Sequence, residues 1–426
     1  MLSRPALALA CASALTSALV LPAAVAGDLH RTAGIGPVET TAMTAVTAVA
    51  AGADGRRDAG ADPRTVARTR WVPQLPEVLR TLPPRSQVTS RRIVPGVVAT
   101  TWGERTRRGP VRFAMVTVRW RAAGVSLDYA NAGKVRDAAT VPSMIDRDRA
   151  VAGINGDFFD RDGTGAPLGL GIDRERGLLH GRTLGWNSTF YVGQDGVPDV
   201  GMLSTHVTLR ERPDIHVASV NAPEVAPGGV GVYTRAFGRA AGAEVTDGHR
   251  RDVRAVVVRD GRVVSSSARL PEGRAIDGVL LVGRGAGARR LATVRRGSRL
   301  TVSTSVDKRP LMAITGNTFL LRDGRIRVAE NRTLEPRSAI AIDHESRTVM
   351  MLVVDGRQPR VSRGYSMLEL ARKLRALGAD DALNLDGGGS SVLVARRPHT
   401  AARLVNKPSN GLRAVPSAVE VVYRPR

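Results

Sequence analysis

From about residue 89 to the C-terminus, apolar residues fall in short runs of strand length, and only one stretch keeps a convincing helical period. That pattern commits the chain to a strand-rich fold. Residues 113–120 alternate as a half-buried strand, and 125–129 are placed to pair with them across a turn at Gly124. Further runs lie at 151–154, 189–192, 253–258, 279–282, 300–306, 339–342, 349–354 and 382–385. The expected class is mixed α and β (α+β or mixed α/β): a mixed, strand-rich twisted sheet with few helices.

The helix is predicted at residues 367–377. Ser366 and Glu369 form a capping box, Met367, Leu370, Ala371, Leu374 and Leu377 make one apolar stripe, and Gly378 supplies a left-handed stop. It sits between the strands at 349–354 and 382–385, the layout of a C-terminal β-α-β unit. A right-handed crossover makes those strands parallel and brings Asp355 and Asp386 to one edge of the sheet, where ligands of open α/β sheets collect.

Residues 1–26 read as a secretory signal peptide: Arg4, an apolar run over 6–20, Pro22, and the small triplet Ala24, Val25, Ala26 before the expected cleavage. Residues 27–88, rich in Ala, Thr, Pro and Arg, read as a disordered linker, which leaves 89–426 as the folded domain. The only cysteine is Cys11, inside the expected signal, so the mature chain must hold together by a large core rather than by disulfides. No other stretch approaches membrane-spanning length, and the mature protein is expected to be secreted, without a membrane span.

The formal charge is +24, carried almost wholly by arginine, since Lys134, Lys308, Lys373 and Lys407 are the only lysines. Either a G+C-rich genome or an anionic partner such as a phosphate-rich wall polymer accounts for it. Aromatics make up 4% and no basic-aromatic cluster occurs, which argues against nucleic acid.

The strongest chemical signal is the segment 384–391, Asn-Leu-Asp-Gly-Gly-Gly-Ser-Ser. Gly387, Gly388 and Gly389 leave the backbone bare, so that their amides, with Ser390, can curl around phosphate oxygens. Asn384 and Asp386 interrupt an apolar strand, and buried polar groups are costly without a purpose. A second strand, at 151–154, runs into Asn155, Gly156, Asp157 and a Phe158–Phe159 pair. A plain turn stapled by buried phenylalanines explains the aromatics but not Asn155. Arg337, beside Pro336 at a strand start, is placed to grip phosphate with its two-pronged guanidinium.

A G-x-G-x-x-A run at Gly283–Ala288 formally matches a dinucleotide fingerprint, but the helical stretch after it is too short for a crossover. There is no G-x-S-x-G elbow and no H-E-x-x-H. His180, His206, His216, His249, His344 and His399 show no metal spacing and read as surface or loop residues.

These residues together resemble the phosphodiester glycosidase family. The matching pieces are Ile154-Asn-Gly-Asp-Phe-Phe159, Gly316-Asn-Thr-Phe-Leu-Leu-Arg-Asp-Gly324 with Asn317, Pro336-Arg-Ser-Ala-Ile340, Val354-Asp-Gly-Arg357, the helix with Gly378, Leu383 to Ser391, and Val405-Asn-Lys-Pro. The resemblance implies a hydrolase that cuts the bond between a sugar's anomeric carbon and a phosphodiester. Asp386, Asp355, Asn155, Asp157 and Asn384 become the catalytic candidates. Arg337, Arg357, Gly387, Gly388, Gly389, Ser390 and Asn317 become the substrate and phosphate ligands. No cofactor is assigned, and the clustered Asp and Asn oxygens could hold Ca²⁺ or Mg²⁺, which prefer such ligands. The expected partner is a carbohydrate phosphodiester or an anionic wall polymer. A non-catalytic wall-polysaccharide binder and a phosphodiesterase that cuts P–O stay open as alternatives.

Overall fold

The computed structural model describes residues 77–80 and 86–425. The expected signal peptide, and the expected linker apart from 77–80 and 86–88, lie outside the described residues. Within that linker stretch Glu77–Arg80 forms a helical turn whose Leu79 is buried in a cluster with Trp102 and Phe113.

Strands dominate, in three large sheets rather than the one expected. The eight-stranded sheet runs Thr89–Val94, Val97–Thr106, Gly109–Arg119, Thr348–Val354, Arg337–Asp343, Asp381–Asn384, Thr318–Arg322 and Arg325–Ile326 in spatial order. The five-stranded sheet runs Arg403–Leu404, Leu393–Ala395, Ala152–Asn155, Ser417–Tyr423 and Val125–Asn131. A ten-stranded sheet holds the middle of the chain, from Gly171–Asp173 to Met312–Thr315.

Central strands of the eight-stranded sheet are covered on both faces, which is why they read as continuous apolar runs. Ala114, Val116, Ile340, Ile342, Val349, Met351 and Val353 face a core shared with the other two sheets. Phe113, Met115, Ala339, Ala341, Met350 and Leu352 face the helix Met367–Ala376. That helix has the expected capping box, Ser366 with Glu369, and its buried residues are Met367, Leu370, Ala371 and Leu374. Gly378 takes φ +95°, the left-handed conformation that lets the chain turn back.

The strands flanking the helix are not neighbours. Arg337–Asp343 lies between them and pairs antiparallel with both, so Thr348–Val354 and Asp381–Asn384 share a direction without sharing hydrogen bonds. Asp355, Asp386 and the start of the Arg337 strand therefore meet at one edge.

The hairpin expected across Gly124 does not form. Gly109–Arg119 pairs with Val97–Thr106 and Thr348–Val354, whereas Val125–Asn131 pairs with Ser417–Tyr423 in another sheet. Gly124, at φ +77°, turns the chain from one sheet to the other, with the Arg424 carbonyl packed where a Cβ would stand. The G-x-G-x-x-A run also has a packing role. The strand before it, Val279–Arg284, is antiparallel to both neighbours, and a Cβ at Gly287 would lie 2.0 Å from the Gly229 carbonyl oxygen.

Glu420 is a charged residue inside the five-stranded sheet. It pairs across strands with Asp128, is buried, and one carboxyl oxygen has no hydrogen-bond partner. Burial, with Asp148, Asp128 and Asp173 nearby, pushes its carboxyl up to about 8, and Arg147 offsets only part of this. Because the folded-state value lies above the ordinary 4.5, the native state holds a proton that the unfolded chain releases. The resulting stability is complete below pH 4.5 and is lost as pH rises through 8. Glu420→Gln, which mimics the protonated acid, should therefore melt above wild type by a margin that widens from pH 6 to pH 9. Melting curves across that range check it, and a constant margin contradicts the assignment.

Candidate active site

Asn155 ends the strand Ala152–Asn155 and is wholly buried, where an amide must be satisfied on every side. Its Nδ2 donates to the Asp386 carbonyl at 2.6 Å, and its Oδ1 accepts from Ser338 Oγ at 2.8 Å and the Val392 amide at 3.1 Å. One side chain thus ties the five-stranded sheet to the Arg337 strand and to the loop after Asp386. Backbone bonds complete the junction: Asp386 N to Gly156 O at 3.0 Å, Leu385 N to Ser338 O at 2.9 Å, and Gly388 N to Pro336 O at 2.8 Å.

Above this junction a cleft of about 970 Å³ opens, lined by Asp386, Arg413, Arg161, Arg182, Glu224 and the half-buried Phe158 and Phe159 among others. The two phenylalanines form part of the wall instead of the buried staple of a plain turn. Asp386 bonds to the Ser390 hydroxyl, and Arg413 Nη1 donates to the same Ser390 Oγ at 3.2 Å. Burial pushes the Asp386 carboxyl up to about 6, partly offset by Ser390, Arg413, the Gly387 amide and Arg161.

Asp157 lies beneath. Its Oδ2 accepts from the Gly169 amide at 2.8 Å, while Oδ1 is buried without a hydrogen-bond partner. Burial, reinforced by the nearby Asp386 charge, holds its carboxyl well above the usual range despite the Gly169 and Phe158 amides and Arg182. Two carboxyls thus lie close together in contrasting environments, Asp157 fully buried and Asp386 at the cleft wall.

Of the catalytic and binding candidates singled out in the sequence, Asp386 alone lines this cleft. Ser390 is buried behind it. Asp355 stands at the same sheet edge but turns away, accepting from Asn406 Nδ2 and the Lys407 amide, both at 3.0 Å, with Arg112 at 3.5 Å. Burial raises it to about 6. Arg337 is drawn off by closer acceptors, donating to Tyr365 O at 3.0 Å and Thr333 O at 2.9 Å, with Glu330 at 3.8 Å. Arg357 pairs with Glu335 at 2.5 Å and lies over Gly388. Asn384 is buried and donates to the exposed Asn317 at 2.8 Å.

Nor is the glycine loop a nest of three free amides. Gly388 N–H is engaged by Pro336 O and Gly387 N–H by the Asp386 carboxyl. What the glycines permit is close approach of guanidinium groups: a Cβ at Gly388 would lie 3.1 Å from Arg357, and one at Gly389 would lie 2.6 Å from Arg413. Arg413 escaped the sequence reading because nothing local distinguishes it in a chain so rich in arginine.

His180 corrects the expectation of surface histidines. It is fully buried, accepting or donating between Tyr129 Oη and Gly169 O, both at 2.8 Å. Since a carbonyl only accepts, Nδ1 carries the proton and Nε2 accepts from Tyr129; burial lowers its pKa to about 4. His344 is exposed in a turn, as expected, and with Asp199 and Asp381 it forms the one group among the described residues with three side chains placed to share a metal ion. Asp381 begins the strand that Asp386 follows, so this group lies at the far end from the cleft. Its members already bond to one another, to Tyr191 and to the Asp323 amide.

Asn155→Ala should cost about 2–4 kcal/mol, since Ser338, Val392 and the Asp386 carbonyl lose their buried partner together. Denaturant unfolding measures it, and a loss below about 1 kcal/mol contradicts the clamp.

Residues 252–422 match the model of the phosphodiester glycosidase family. No curated protein matches the chain by sequence. A protein from Synechocystis shares the fold at a TM-score of 0.65 and 23% identity, over 81% of this chain and 64% of its own, so this chain spans under two thirds of that protein's length. A protein from Burkholderia pseudomallei K96243 does so at 0.63 and 19%, over 79% of this chain and 96% of its own. The catalytic domain of zebrafish N-acetylglucosamine-1-phosphodiester alpha-N-acetylglucosaminidase, auto-inhibited by its pro-peptide, superposes at 0.42 with 16% identity, over 79% and 88%, too loosely to carry weight. The matched stretch, which contains Asp386, the glycine loop and Arg413, is similar to the phosphodiester glycosidase family.

Proposed function

We propose that the protein is a secreted hydrolase that cleaves the glycosidic bond of a sugar-1-phosphodiester in a cell-wall or exopolysaccharide chain. The observation that carries this reading is the Asp386, Ser390 and Arg413 arrangement at the end of the cleft: a carboxyl and a guanidinium joined through one hydroxyl. The family assignment of residues 252–422 supports the reaction type. The signal-like N-terminus supports the location.

Phe158 and Phe159 offer apolar faces on which a sugar ring packs. Above pH 6 the ionised Asp386 takes a proton from a water that attacks the anomeric carbon, or attacks that carbon itself to form a glycosyl ester that water then hydrolyses. The C–O bonding pair passes to the phosphate oxygen, which leaves as a phosphomonoester beside Arg413. Such a leaving group is already a good anion, so charge stabilisation by the guanidinium matters more than proton donation.

Asp386→Asn should lower kcat to below about a thousandth with the fold intact, and Arg413→Ala should cost about 10²–10³ in kcat/KM. Wild-type activity should fall as pH drops through about 6, because the reactive form of Asp386 is the carboxylate. Hydrolysis in ¹⁸O-water gives the direct test. Label in the anomeric hydroxyl supports the glycosidase, label in the phosphate identifies P–O cleavage, and binding without any turnover identifies a polysaccharide-binding protein.

A further inference from the structure

The arginines of the cleft differ in how well they are satisfied. Arg161 pairs with Asp162 at 3.2 Å, Arg250 with Glu272 at 3.6 Å on the exposed rim, and Arg413 bonds to Ser390. Arg182, the last residue of the strand Gly177–Arg182, has a side chain only 17% exposed. Its Nε is buried without a hydrogen-bond partner, and its ion-pair partner, Glu224, stands at 4.0 Å with 55% of its side chain in solvent. Behind it the hydroxyl of Tyr233, 1% exposed and within the field of both Arg182 and Glu224, also lacks a partner.

Two donors left unmatched in a low-dielectric wall are costly unless an acceptor-rich group arrives. Glu224 does not fill that role at 4.0 Å, and its exposure leaves it free to swing aside. Most other acids of the cleft are already held: Asp162 by Arg161, Glu244 by Arg136 at 2.8 Å, Asp247 by Arg284 at 3.7 Å, and Asp160 by Thr164 at 2.7 Å. The charges of the cleft without a close ion pair are Asp386 and Arg413, each bonded to the neutral Ser390 hydroxyl, and Glu224 and Arg182, 4.0 Å apart. At about 970 Å³ the cleft is at the upper end of the range for small-molecule sites, with room beyond one sugar and one phosphate.

We propose that Arg182 binds a second oxyanion of the substrate, so that the cleft takes a saccharide carrying successive phosphodiesters rather than a lone glycosyl phosphodiester. This rests on the glycosyl phosphodiester reading of the Asp386 end. The planar guanidinium suits a tetrahedral oxyanion through paired N–H donors, and its position on a strand end fixes where the second charge must fall.

The test compares two synthetic probes, a glycosyl phosphodiester with one phosphate and a sugar-linked counterpart with two. Wild type should bind the two-phosphate probe about 10-fold more tightly by calorimetry and show the same preference in kcat/KM. Arg182→Gln should erase that preference while leaving the one-phosphate probe within about 2-fold, and Arg182→Lys, which keeps the charge but not the fork, should fall between. Arg259→Gln, an equal change of charge beside Asp277 and outside the cleft, should keep the preference. Absence of a preference in wild type, or an equal loss on both probes in Arg182→Gln, overturns the proposal. If Arg182→Gln does not fold, an unchanged preference in Arg182→Lys overturns it instead. An Arg182-dependent binding preference without turnover of either probe keeps the second subsite and removes the glycosidase reading.

Discussion

The site depends on one buried amide. Asn155 has no water to bond with, so its donors and acceptor must be met by protein, and the groups that meet them come from Ser338, Asp386 and Val392. Those groups sit 183, 231 and 237 residues away in the chain. Because a buried polar group without its partners is worth several kilocalories of penalty, the five-stranded sheet, the Arg337 strand and the Asp386 loop are held in one register. The cleft is the consequence of that register. Asp386 emerges at its end because its own backbone is held on both sides, by Asn155 at the carbonyl and by Gly156 at the amide.

Electrostatics within the cleft follow from depth rather than from residue type. Asp157 and Asp386 are chemically identical, yet burial holds the deeper one well above the usual carboxylate range, while Ser390 and Arg413 limit the rise of the shallower one to about 6. The same principle sorts the arginines. Most of those around the site are tied to a carboxylate or a carbonyl, as Arg337 and Arg357 are, and contribute to rigidity. Arg413 and Arg182 keep their charge available to a ligand because their partners are a neutral hydroxyl and a distant, exposed glutamate.

The helix at Met367–Ala376 could be read to within a residue because its signals are local: a capping box, an apolar stripe and a glycine at the left-handed stop. The strands around it were legible for the same reason, since burial on both faces writes a continuous apolar run. Pairing was not. The hairpin expected at Gly124 is absent because both halves find better partners far along the chain, and the Arg337 strand inserts between two strands that look consecutive. Nothing local in an apolar run names its neighbour.

The amino-acid sequence by itself determined which polar residues interrupt buried strands, and so marked Asn155, Asn384, Asp386 and the glycines that follow as places where burial has a cost to justify. Only the tertiary structure decided what each of them does. It turned Asp355 and Arg337 toward backbone and amide partners, made Asn155 a clamp, and brought in Arg413, Arg182 and the Phe158–Phe159 wall. The physical reason is that a side chain's role is set by the nearest group able to satisfy it, and that group usually comes from a distant part of the chain.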